Sequence, residues 1–151
     1  MSELRKLIDQ ITAFGTNPNV ELDNKIVVLK KLLVGIYHEY LHLQFDDYNK
    51  DYEDKTNFNY YVIRANVASN FPDFRWYSIV LDSNKMDDNI ETGYGDELDD
   101  LTDIIKDLLV VQWRMDNTSL KDALWHFNFL MNHHSEQHLV DLLKRLKERD
   151  E

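Results

Sequence analysis

Apolar residues return every three to four positions along most of this chain, the period of an amphipathic helix. Over residues 2–14, Leu4, Leu7, Ile8 and Ile11 keep that spacing; Gly15 stops the run and Asn17-Pro18 opens a connection. Residues 20–45 predict a first long helix with Leu29, Leu33, Ile36 and Tyr40 on its apolar face and Gly35 in its interior. Residues 46–57 are polar and read as a loop, and 58–70 resume a less regular helical pattern through Tyr61, Val62, Ala65 and Val67. Phe71-Pro72-Asp73 marks a break, because a residue before proline is disfavoured in the α region. Residues 74–81 are short and aromatic and fit either a helix or a strand; residues 82–95, with Gly93 and Gly95, read as a long polar loop. The two clearest helices follow, over 96–115 and 119–149. The second opens on Ser119 with Asp122 three residues later, a capping-box spacing. It closes on Lys144, Arg145, Lys147 and Arg149, which suit the negative end of a helix dipole.

This pattern predicts a single all-α domain over residues 1–151, a bundle of four to five helices with an antiparallel C-terminal pair. More than half of the residues are expected in helices, with at most a minor strand near 76–81. Composition agrees: 43% of the 151 residues are hydrophobic, enough to fill a core, and 30% are charged, enough to solvate a surface. The formal net charge of −11 argues against a phosphate-backbone partner, which requires a clustered basic surface. The absence of cysteine excludes disulfides, thiolate metal sites and cysteine nucleophiles. Neither a signal-peptide apolar run nor a stretch of ~20 apolar residues occurs, so a cytoplasmic protein without a membrane partner is expected.

Three sets of residues carry possible chemistry. His38-Glu39-Tyr40-Leu41-His42 matches the HExxH zinc-protease spacing, in which histidines one turn apart hold the metal. Here the phase is unfavourable: with Leu29, Leu33, Ile36 and Tyr40 facing the core, His38 and His42 face solvent, which disfavours them as ligands. Asp47, Asn49 and Asp51 imitate the start of a calcium loop, but Tyr52 replaces the glycine of the sharp turn and Phe58 the bidentate glutamate.

The third set is better placed. Leu101, Ile104, Ile105 and Leu108 form one core stripe, with Asp100, Asp103 and Asp107 along its margin. On the last helix Leu124, Phe127, Met131, Leu142 and Leu146 face the core, His134 and His138 flank them near Asp141, and His126 and His133 point away. A short turn near 116–118 makes the two helices antiparallel, so positions whose numbers add to about 235 share a level. That places Asp100 beside His134, and Asp96 or Glu97 beside His138. The cluster is either a buried Asp–His network that fixes helix register, or a metal or acid–base site. Trp125, Phe127 and Phe129 read as core and rim packing rather than a cofactor box.

The stretches DELDDLTDIIKDLL and ALWHFNFLMNHHSEQHLVDLLKRL resemble a bacterial family known only as domain of unknown function 5063. Asp99, Asp100, Asp103 and Asp107 fall on its first motif, and Trp125, Phe129, His134, His138, Asp141 and Arg145 on its second. Phe127, Ser135 and Glu136 depart from that pattern. The resemblance covers roughly residues 71–147; it implies a helical fold and brings no activity. The first functional expectation is a non-catalytic interaction or regulatory domain, with a protein partner or self-association and no cofactor. The alternative is a metal-dependent enzyme or metal-binding protein using Asp100, Asp103, Asp107, His134, His138 and Asp141.

Overall fold

A computed structural model describes residues 2–44 and 51–149; 69% of them are helical and 7% lie in strands. The elements are α1 (Ser2–Thr16), α2 (Lys25–His42), α3 (Tyr60–Asn70), β1 (Trp76–Val80), β2 (Thr92–Asp96), α4 (Glu97–Asn117), α5 (Leu120–Leu130) and α6 (Glu136–Arg149). A π turn, Met131–Ser135, joins α5 to α6, so the expected last helix is a nearly continuous rod with one widened turn. α2 begins five residues later than expected, after Asn24 in the left-handed region at φ 53°. Asp47 and Asn49 of the calcium-like run lie outside the described residues, and Asp51 is exposed.

The chain is mostly helical as expected, but the all-α expectation, with at most a minor strand near 76–81, needs correction. β1 and β2 form an antiparallel hairpin in the register Trp76↔Asp96, Ser78↔Tyr94 and Val80↔Thr92. The ambiguous 74–81 segment contains one strand, and the predicted loop over 82–95 hides the other. Thr92-Gly93-Tyr94-Gly95-Asp96 has no alternating apolar residues to announce a strand. Its glycines provide space instead. A Cβ at Gly95 would lie 2.3 Å from Cζ of Tyr77, so the bare backbone is what lets that ring lie across the strand.

α4 is the central rod, packed against α1, α3, α5 and α6. Its stripe of Leu101, Ile104, Ile105 and Leu108 is buried with Leu4, Ile8 and Ile11 of α1, Leu29, Leu33 and Ile36 of α2, and Phe127, Leu142 and Leu146 of the last rod. Each such side chain stabilises the fold by about 1.5–3 kcal/mol through removal from water. Gly35 allows α2 to approach α1 closely, since a Cβ there would meet Leu7 Cδ2 at 2.8 Å.

Two polar devices fix the ends of α4. At its start the Asp96 side chain accepts from Leu98 N–H and pairs with Arg64 at 2.8 Å. Glu97, fully buried, accepts from Arg149 Nη1 at 2.8 Å and from Arg75 N–H at 3.1 Å, tying the hairpin to α6. The basic end of the last helix therefore serves a buried ion pair as well as the dipole. At the other end the Ser119 hydroxyl accepts from Asp122 N–H, as the capping spacing predicts. The Asp122 carboxylate turns instead to Arg114 Nη1 at 2.9 Å and the Thr118 hydroxyl at 2.7 Å. Among the described residues no helix is long and apolar enough to cross a membrane.

Candidate metal centre

The acidic margin of α4 and the histidines of the last rod do meet, one turn away from the level counted in the sequence. His138 Nδ1 lies 2.8 Å from Asp100 Oδ1, and His134 Nδ1 lies 2.7 Å from Asp107 Oδ2. His134 is thus not bonded to Asp100, as level counting had paired it. Two features displace the count. The connection is centred nearer Thr118 and Ser119 than assumed, and the π turn adds a residue before α6 without a matching advance along the axis. The same turn buries Ser135, whose hydroxyl donates to Asp107 Oδ2 at 2.6 Å.

The second ring nitrogens converge. His138 Nε2 is 3.3 Å, and His134 Nε2 3.8 Å, from the single oxygen Asp103 Oδ2. Asp103, His134 and His138 each offer one donor atom within 4.8 Å of those of the other two. Ligands on a tetrahedron with bonds of ~2.1 Å stand roughly 3.4 Å apart, so the two measured separations bracket the edge a bound ion would require. When Nδ1–H is donated to a carboxylate, the Nε2 lone pair is presented to whatever faces it. Here that is a carboxylate oxygen, and only a cation, a proton or a metal ion, satisfies both.

Electrostatics express the same competition. Burial, followed by the charge of Asp99, pushes the Asp103 carboxyl above its usual range. The bond to Asp100 holds the His138 imidazolium above its usual range, against the opposing effect of burial. Two phenols hold Asp99 and Asp100. The Tyr77 hydroxyl donates to Asp100 Oδ2, and the Tyr60 hydroxyl donates to Asp99 Oδ1 while accepting from Arg64. Burial and these carboxylates raise both phenols, Tyr60 to about 12, so both remain donors at neutral pH. Asp99, Asp100 and His138 form a second group of three nearby donors, but there the His138 nitrogen already bonds Asp100.

The other candidates take different places. Asp141, half-buried on α6, accepts from the Gln137 amide and stands outside both three-donor groups. His38 and His42 are exposed, with rings 4.2 Å apart, and no third carboxylate or imidazole converges with them among the described residues. Phe127 is core, whereas Trp125 and Phe129 stack at 5.2 Å on the rim. Sequence reasoning missed Tyr60, Tyr77 and Ser135. Ser135 had a legible signal, lying next to His134, but its orientation depends on the π turn.

No known protein-family profile matches the chain, and no curated protein matches it. In fold it is similar to the crystal structure of protein BF1032 from Bacteroides fragilis, with a TM-score of 0.76 at 18% identity. The match covers 99% of this chain and 91% of that one. At that identity the likeness is one of fold alone.

Proposed function

We propose that this protein is a helical domain that binds a divalent transition-metal ion between α4 and the last rod. His134 and His138 provide two Nε2 ligands and Asp103 a carboxylate oxygen. The observation that carries the reading is the convergence of both Nε2 atoms on Asp103, each imidazole being held from behind by its own aspartate. Two imidazoles and one carboxylate suit zinc, iron or manganese rather than magnesium or calcium. Three protein ligands leave positions for water or substrate, and a water bound there would be acidified toward neutral pH. His134, whose side chain is 45% exposed, sets the solvent side of the centre.

The interaction role is less well supported. The hairpin face bearing Trp76, Val80 and Tyr94 intersperses them with Ser78, Thr92 and Asp96 rather than forming one apolar patch. Elemental analysis of protein purified without a tag or added metal tests the proposal. A transition metal near one equivalent, lost in His138→Ala, is the expected result. Trace metal that does not rise after incubation with zinc, iron(II) or manganese would overturn it.

A further inference from the structure

We propose that the cleft beside this centre binds an organic ammonium cation, an amine carried on an alkyl chain. The cleft, about 420 Å³, opens between the hairpin, α3, α4 and α6, and falls in the size range of small-ligand sites. Tyr60, Trp76 and Tyr94 line it. Trp76 is 66% and Tyr94 77% exposed, so both rings are available to a ligand. Asp99 and Asp141 also line the cleft, bonded to the neutral Tyr60 and Gln137, whereas Asp96 is offset by Arg64 and the buried Asp100 is engaged by Tyr77 and His138.

Each ligand class can be weighed against these walls. An anion is repelled by the carboxylates. A neutral apolar molecule would strip water from them without replacing its hydrogen bonds. A small inorganic cation satisfies the acids but leaves the rings unused. An alkylammonium ion satisfies both, because its charge faces the carboxylates while its methylenes and its cationic end lie on aromatic faces. The net charge of −11 would draw such ligands from solution. The inference goes beyond the metal reading, since Trp76, Tyr94, Tyr60 and Asp141 are not metal ligands and the two sites share only His138 of the three proposed ligands.

Calorimetric titration tests it, using metal-stripped and zinc-loaded protein with spermidine, N-acetyl-lysine amide and the neutral 1,5-pentanediol. Spermidine or the lysine derivative is expected to bind with submillimolar affinity and the diol not at all. Preference between the two amines distinguishes a free polyamine from a lysine side chain as the natural source. Trp76→Ala and Asp99→Asn should each weaken binding about tenfold, the loss of one cation–π or charge contact, with zinc stoichiometry unchanged in Trp76→Ala. Amine binding that survives in protein unable to take zinc would sustain this inference while the metal reading fails. No amine binding up to roughly 10 mM, or binding indifferent to Trp76→Ala, would overturn it.

Discussion

His138 is held by Asp100 through Nδ1 at 2.8 Å while its Nε2 faces Asp103 at 3.3 Å, so one imidazole links a fixed carboxylate to an adaptable one. Asp100 is nearly fully buried and engaged by both Tyr77 and His138. On the proposed reading, Asp103 is the partner that would exchange a proton for a metal ion, so that stability, pH and metal content would report on one site.

Without metal, the His138–Asp100 pair should contribute less stability as pH rises through and above the ordinary histidine range. His138 has a folded-state pKa above its ordinary value of 6.5. Its contribution is therefore complete below the unfolded value and lost as pH rises through the folded one. Asp103, whose folded-state pKa burial also raises, acts in the same direction, with its loss beginning from the ordinary carboxylate value of 3.8 upward. His126, whose pKa burial lowers, contributes in the opposite direction over the same range, so the test is the difference between parent and variant. Thermal unfolding in the presence of chelator should show His138→Gln losing less, or gaining more, with rising pH than the parent, and identical slopes in the two proteins would contradict the assigned His138 shift.

Replacing Gly95 with Ala should dislodge the Tyr77 ring, which a Cβ would meet at 2.3 Å. The expected cost is about 1–3 kcal/mol, as for other overpacked sites. In a Tyr77→Ala background the same glycine substitution should cost far less. Urea unfolding of the four proteins measures the coupling, and equal costs in both backgrounds would show that the ring does not require the glycine.

Asp122→Ala should leave the buried Arg114 guanidinium with the exposed Asp54 carboxylate, 3.8 Å away, in place of its buried partner and destabilise by about 3–5 kcal/mol. Replacing both residues, Arg114→Met with Asp122→Leu, should recover much of that loss, because an apolar pair need not be desolvated. A single substitution that costs less than about 1 kcal/mol would mean that water reaches the pair.

Much of the architecture was legible because periodicity reports which side of a helix is buried. Asp100, Asp103, His134 and His138 were placed on facing margins for that reason. Their register was not legible. Equal rise per residue fails where a π turn intervenes, and nothing in Met131-Asn132-His133-His134-Ser135 announces one. β2 escaped notice because Gly95 leaves room for the Tyr77 ring, a contact made by a residue eighteen positions earlier. The phenols that complete the site arrive from α3 and β1, and no local pattern links them to α4.

The most direct test of the metal centre is zinc stoichiometry, measured by equilibrium dialysis of chelator-stripped protein at pH 7.5, for the parent, His134→Ala, His138→Ala, Asp103→Asn and His38→Ala. The account predicts one zinc per chain in the parent and in His38→Ala, and at least about tenfold weaker binding in each of the other three, as expected when a ligand is lost. Their circular dichroism should match that of the parent. Equal zinc binding by the parent and the double variant His134→Ala/His138→Ala, both folded, would contradict it.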